Sequence, residues 1–337
     1  MQTKPRKKRF ELPEVRRELK GTSPQLDFYA AVYQHSLIPS DHLPGILWQP
    51  DGSSTRTQYG VTNTQTDAHE GWLVHKPEDT RDLFGADVLS PHPFGMDFYL
   101  QHREELPPRV CKFHRPRGSY RRELPHNLGT AMTMASIQAG HNQHGLRFTP
   151  QEQMEWNFGK RDDLPISFPA SLAHEIKGKE VSWNGRVYPD SAWQTTYPDG
   201  QTSTFILEYQ RAATISRNDL LSASSQLRKY LAYYDAFQKG TLKAEWGLDD
   251  AYFVVLFVYT NIEKYHEALN LCAETFTKDR YPSGVPMFYH LHVPMTRKTD
   301  GGAIKLAKPL PDLITRPCTR IGRPDRAIYE QKNGPTG

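Results

Sequence analysis

Cysteine is scarce. The 337-residue chain has three, Cys111, Cys272 and Cys318, far apart in the sequence. They suggest neither a disulfide framework nor a zinc knuckle, and a reducing, intracellular setting is expected. Long apolar runs are also missing. No stretch approaches the ~20 apolar residues that span a bilayer, so no transmembrane segment and no membrane partner are expected. The first residues lack the apolar centre of a signal peptide, which points to a cytoplasmic protein. There is no internal repeat and no glycine motif that cradles phosphate. Hydrophobic residues make up only 37%, with a mean hydropathy of −0.69. The 11% of aromatic residues and several dense apolar runs are still enough to build cores.

What is present is charge in two concentrated places. The net charge is +4, from 42 basic and 38 acidic residues. Residues 1–20 hold eight basic side chains (Lys4, Arg6, Lys7, Lys8, Arg9, Arg16, Arg17, Lys20) and three acids, a balance of +5. Residues 109–122 hold six (Arg109, Lys112, Arg115, Arg117, Arg121, Arg122) and no acid, a balance of +6. The remainder therefore carries −7. Two basic segments on an otherwise acidic chain suggest a polyanion partner; solvated tails are the alternative.

The length suggests two domains, possibly three. Residues 1–22 read as a mostly disordered basic arm with a short helix near 13–20. Ser23 as N-cap, Pro24 in the first turn and Leu26, Tyr29, Ala30 and Tyr33 at helical spacing predict a helix ending at His35. A short helix His42–Trp48 follows, then a polar third helix over Arg56–Glu70. Gly71–His75 and Met96–Leu100 read as two strands around a long excursion. This order is that of a winged helix-turn-helix over residues 23–104, in which the third helix enters the DNA major groove. Residues 105–125, with four prolines, read as a basic linker.

From 126 to 300 a second domain is expected. Asn127–Gly140 and Pro169–Lys177 read as helices, and Val181–Tyr188 as strand-like with a turn at Asn184-Gly185. Ala192–Tyr197 and Thr202–Gln210 read as strands joined by the Pro198-Asp199-Gly200 turn. A helix spans about Asn218–Gln238. The continuously apolar Tyr252–Tyr259 reads as a strand buried on both faces. A helix over Ile262–Phe276 and a strand over Met287–Val293 follow, and 301–337 reads as an extended tail. The fold class expected is α+β or α/β.

One constellation carries chemistry. With the hairpin centred on Asp199, residue 192 pairs with 206 and 190 with 208. Asp190 and Glu208 then oppose each other with Cβ atoms ~4.5–5.5 Å apart. Gln210 shares their face. Two carboxylates so placed repel unless a cation lies between them. Mg²⁺ takes one or two carboxylates plus phosphate oxygens, and such a metal polarises a phosphoryl group. His141 and His144, in what reads as a polar loop, offer a weaker cation clamp. Trp72, Trp183 and Trp193 read as core aromatics rather than platforms for bases.

The motifs Pro189-Asp190, Phe205-Ile206-Leu207-Glu208-Tyr209-Gln210, Gln226 to Tyr234 and His126-Asn127-Leu128 together resemble the PD-(D/E)xK nuclease fold. More narrowly, they resemble the replication-relaxation family of mobile-element proteins, over roughly residues 24–275. The resemblance implies an N-terminal winged helix and a restriction-endonuclease-like mixed-sheet domain. It makes Asp190 and Glu208 ligands for Mg²⁺ or Mn²⁺. Gln210 stands where the nuclease motif has Lys, and Gln cannot supply positive charge. Arg228 or Lys229 on the following helix is the expected substitute, and Glu175 the expected extra acid. The implied protein is bacterial, nucleoid- or plasmid-associated, with DNA, replication or transfer proteins and a second copy as its partners. DNA contacts are expected from Lys4, Arg6, Lys7, Lys8, Arg9, Arg56, Arg115, Arg117, Arg121 and Arg122. The activity implied is metal-dependent endonuclease or nickase chemistry by in-line attack of water on a phosphodiester. The alternative is an inactive DNA-binding accessory or structural nucleoprotein component on a degenerate nuclease scaffold.

Overall fold

The computed structural model describes residues 12–47, 54–76, 87–103, 120–151, 153–154, 167–211, 220, 225–247, 253–277, 287–298 and 304–330. It is a mixed α+β protein in two compact units. Unit 1 comprises Met1–His144 and Met295–Pro311, and unit 2 Gly145–Pro294 and Asp312–Gly337. Among the described residues no helix is long and apolar enough to cross a membrane.

Unit 1 begins with α1 (Ser23–His35), where Pro24 occupies the first turn and the Thr22 N–H donates to Gln25 Oε1 at 3.3 Å. The cap is thus Thr22, one residue before the Ser23 expected. Then come β1 (Ile38–Pro39), α2 (Leu43–Leu47), α3 (Ser54–Glu70), β2 (Val74–His75), β3 (Val88–Pro91), α4 (Pro93–His102) and α5 (Tyr120–Gln143). The central β3 pairs antiparallel with both β1 and β2. Phe28, Val32, Ile38, Leu43, Leu73, Val74 and Leu89 are completely enclosed in its core.

Three expectations fail in this unit, each for a local reason. Met96–Leu100 is helical, not a strand. The His92 imidazole accepts the Phe94 N–H at 3.2 Å and Pro93 sets the first turn, so the chain enters α4 there. The strand that pairs with β2 is Val88–Pro91. Residues 12–22 form no helix and no loose arm. Trp72 Nε1 donates to the Pro13 carbonyl, the Arg17 N–H donates to the Glu70 carbonyl, and the Arg16 guanidinium lies 3.9 Å from the Phe94 ring centroid. Finally, α5 starts at Tyr120, inside the stretch read as linker, and carries Pro125. It belongs to unit 1: Gln34 Nε2 donates to Gln138 Oε1 at 3.0 Å and Asn142 Nδ2 to the Ile46 carbonyl at 2.9 Å.

Unit 2 is built on a seven-stranded mixed sheet. Its strands, in chain order, are β4 (Arg147–Pro150), then, after the separate hairpin β5 (Phe168–Ile176) and β6 (Lys179–Val187), β7 (Ser191–Thr196), β8 (Thr202–Gln210), β9 (Phe253–Tyr259) and β10 (Phe288–His292). Short strands β11 (Thr296–Lys298) and β12 (Ile304–Leu306) pair with each other in unit 1, and β13 (Cys318–Arg320) and β14 (Arg323–Arg326) complete the large sheet. The order is β14-β13-β10-β9-β8-β7-β4, with β8, β9 and β10 parallel at the centre. All seven residues of β9 are buried, as a strand covered on both faces requires.

The helices of unit 2 are α6 (Gln226–Lys239), α7 (Thr241–Trp246) and α8 (Ile262–Thr275). Ser225 Oγ accepts the Arg228 N–H at the start of α6, and Gly240, at φ 63°, ends it in the left-handed conformation that glycine adopts without penalty. Tyr230 and Tyr233 of α6 pack edge-on against Phe257 of the sheet, in one core with Ile206 and Val255.

Three further expectations are corrected here. Pro169–Lys177 is not a helix. Phe168, Ala170 and Leu172 are buried while Pro169, Ser171 and Ala173 are exposed, the period-two pattern of a strand. The hairpin turns at Lys177-Gly178, both at positive φ (52° and 76°), not at Asn184-Gly185, which lie within β6. The tail is no coreless extension either. Leu313, Ile314 and Cys318 are fully buried, and β13 pairs with β10.

Candidate functional site

The hairpin β7–β8 places the first two site residues. Ser191 pairs with Leu207, Ala192 with Ile206 and Thr196 with Thr202, the register read from the turn. Asp190, just before β7, continues toward Glu208. Its N–H donates to the Leu207 carbonyl at 3.2 Å and its Oδ2 accepts the Tyr209 N–H at 2.7 Å. The Asp190 carboxylate is therefore anchored to the backbone beside Glu208.

Glu208 points to the α6 face of the sheet and is 0% exposed. An isolated carboxylate there would be costly. Two residues of α6 compensate: Lys229 Nζ donates to Glu208 Oε2, and the Tyr233 hydroxyl donates to Oε1 at 2.5 Å. Four residues apart, Lys229 and Tyr233 lie on one helix face. Of the two basic candidates on this helix, Lys229 is the one that reaches Glu208. Arg228 points elsewhere, its guanidinium 4.5 Å from the Trp183 ring centroid.

The charges of this cluster act on one another. Burial pushes the Glu208 carboxyl above its ordinary range; Lys229 opposes the rise and Asp190 adds to it. Burial pulls the Lys229 ammonium down, but Glu208 and Asp190 outweigh it and hold its pKa above the ordinary lysine value. An ammonium kept charged by two carboxylates is the direction that governs the site. Burial, then Glu208, raises the Tyr233 phenol well above its usual range, so it stays a donor.

Gln210 shares the face of Glu208 by strand alternation. Its carbonyl accepts the Thr260 N–H at 3.3 Å, while its side-chain Nε2 is screened from solvent with no hydrogen-bond partner among the described residues. Glu175 is not brought to the site. It is exposed near the turn of the β5–β6 hairpin, opposite Glu180.

The donor set suits Mg²⁺ or Mn²⁺ in kind, since both carboxylates offer hard oxygen ligands. Glu208 already serves Lys229 and Tyr233, so Lys229 must give way for Glu208 to ligate through Oε2. Among the described residues no cluster of three or more His, Cys, Asp or Glu side chains is arranged to hold a metal.

The remaining candidates scatter. His126 is half-buried in α5 of unit 1. His141 lies in the same helix, not a polar loop; it is fully buried, bonds the Ile137 carbonyl through Nδ1, and burial lowers its pKa to about 4. Trp193 is fully buried and stacks on Phe205, with centroids 4.9 Å apart. Lys4, Arg6, Lys7, Lys8, Arg9, Arg115 and Arg117 lie outside the described residues. Arg56 lies in α3, and Arg121 and Arg122 in α5, with side chains outside the described set. Sequence reasoning missed Tyr233; its spacing from Lys229 was the available signal.

No protein-family model, curated protein or solved structure matches this chain significantly.

Proposed function

We propose that the chain is a DNA-binding protein of a mobile element, serving plasmid or phage replication or transfer, with a metal-dependent phosphodiesterase site of the PD-(D/E)xK kind. The observation that carries the reading is Lys229 of α6 donating to Glu208 beside Asp190. It assembles two carboxylates and one ammonium on a mixed sheet, with the cation supplied by a helix instead of by position 210. Asp190 and Glu208 would hold Mg²⁺ or Mn²⁺, which supplies Lewis-acid polarisation of a phosphate. Lys229 then stabilises charge developing on the phosphate, and the Gln210 amide has a donor to spare for it.

Unit 1 supports the DNA-binding half. Helix, strand, two helices and a hairpin, with β3 between β1 and β2, is the order of a winged helix-turn-helix. Thr62, Asn63 and Thr66 of α3 are exposed, as residues of a groove-reading helix must be. The basic clusters at 4–9 and 109–122 would contact phosphates.

A second reading has its own observation. Glu208 is completely enclosed and both its oxygens are hydrogen-bonded, the state of a carboxylate serving structure. In that reading the fold is a degenerate nuclease scaffold that binds DNA without cutting it. Incubation with supercoiled plasmid in Mg²⁺ or Mn²⁺ separates the two. Nicking lost in both Asp190→Ala and Lys229→Met supports the nuclease. Binding without nicking supports the scaffold, and nicking that persists in Asp190→Ala refutes the assigned site.

A further inference from the structure

On the other face of the large sheet lies a cleft that the Asp190–Glu208 site does not use. Its volume is about 600 Å³, within the range of small-molecule sites. Phe205 and Val254 form its floor; by strand alternation Phe205 points away from the face that carries Glu208. The β13–β14 hairpin supplies Arg320, Arg323 and Arg326 to the wall. Tyr197 and Tyr289 also line it, Tyr289 beside Arg320, together with the hydroxyl residues Thr202 and Ser203. Among the described residues that line it, none is acidic.

Structural pairing does not absorb Arg320 and Arg326. Arg326 reaches Glu330 only at 3.7 Å, with both side chains more than half exposed, an ion pair of little strength. Arg320 lies over the Tyr289 ring at 5.3 Å, and its Nε is screened from solvent with no hydrogen-bond partner among the described residues. A screened guanidinium N–H without an acceptor lacks the partner that buried polar groups ordinarily have. Three guanidinium groups in one concave site, flanked by aromatic rings, match a ligand with phosphate oxygens and a flat ring.

We propose that this cleft binds a phosphorylated nucleoside, its phosphate held by Arg320, Arg323 and Arg326 and its base against the tyrosine wall. The source is either a free mononucleotide or the phosphorylated end of a polynucleotide strand. The site is independent of Asp190 and Glu208.

The test is calorimetric or fluorescence titration of the full chain with AMP, and with short oligonucleotides carrying a 5′-phosphate or a 5′-hydroxyl. Expected is saturable binding of AMP or of the 5′-phosphorylated oligonucleotide, displaced by inorganic phosphate and weakened at least about tenfold in Arg320→Gln. Arg323→Gln, at an exposed position, should weaken it in the same direction without disturbing the fold, and Asp190→Ala should leave it unchanged. AMP binding identifies the free nucleotide as the ligand; binding of the phosphorylated strand alone identifies the strand end. The proposal is overturned if neither binds, if the hydroxyl and phosphate strands bind equally and AMP does not, or if both arginine variants bind as the wild type does.

Discussion

Lys229 donates its Nζ proton to Glu208 Oε2, joining the fourth residue of α6 to the seventh of β8. The Lys229 side chain is 16% exposed and that of Glu208 0%. Both charges have left water, so each depends on the other. Removing one partner of such a pair costs more than the pair contributes, because a buried charge is stranded.

Glu208→Ala should therefore destabilise unit 2 by about 3–5 kcal/mol, since it leaves the largely enclosed Lys229 ammonium with Asp190 alone and strands the Tyr233 hydroxyl. Urea denaturation followed by tryptophan fluorescence measures the loss. A change below about 1 kcal/mol would mean that water reaches Lys229 freely.

Tyr233→Phe tests the second donor alone. It keeps the ring packed against Phe168, with centroids 5.2 Å apart, and deletes only the hydroxyl that donates to Glu208 Oε1. The expected cost is about 1.5–3 kcal/mol, the range for a hydrogen bond to a charged group. Under the proposed function, metal-dependent nicking should survive in this variant, whereas Lys229→Met should abolish it. Loss in both would assign Tyr233 a direct part in the chemistry.

Acid should weaken the fold through histidines held neutral. Burial lowers His35, His42 and His290 from 6.5 to about 4. Because the unfolded chain binds protons first, their contribution is fully present above pH 6.5 and is lost as pH falls toward 4. For a fully enclosed imidazole such as His290 the linked loss is about 3 kcal/mol. His290→Gln removes the imidazole that shares a hydrogen bond with the Tyr230 hydroxyl at 2.8 Å. It should lower stability at pH 7 and flatten the decline between pH 6.5 and 4. Urea midpoints across that range provide the measurement, and an unchanged slope would contradict the assignment.

DNA affinity, if the proposed function holds, should fall steeply with salt. Replacing Lys4, Arg6, Lys7, Lys8 and Arg9 by Ala should reduce the log–log salt slope by about 0.9 for each phosphate no longer neutralised. Fluorescence anisotropy on a labelled duplex between low and moderate salt measures it. An identical slope in the variant would remove the arm from the interface.

How much of the fold and site is legible in the sequence depends on the range of the interaction. The β7–β8 register follows from local chemistry: Pro198-Asp199-Gly200 makes the turn and alternation does the rest, so Asp190 and Glu208 can be paired on paper. The apolar run of β9 announces a strand covered on both faces. Local patterns also mislead where short segments satisfy two periods. Met96–Leu100 is apolar enough for a strand, but Pro93 and the His92 cap start a helix. Pro169–Lys177 has helix-forming residues, yet its alternating burial and the Lys177-Gly178 turn make it a strand.

The sequence by itself determined the two basic clusters, the hairpin register, the opposed carboxylates and the absence of Lys at position 210. Tertiary structure alone decided which basic residue of α6 reaches Glu208. Arg228 and Lys229 are neighbours, and only the packing of α6 on the sheet turns one toward Glu208 and the other onto Trp183. It also drew the apparent tail into the sheet, carrying three arginines to the face opposite Glu208. Both outcomes depend on interactions between residues far apart in the chain, where no spacing rule reaches and only burial of apolar surface sets the geometry.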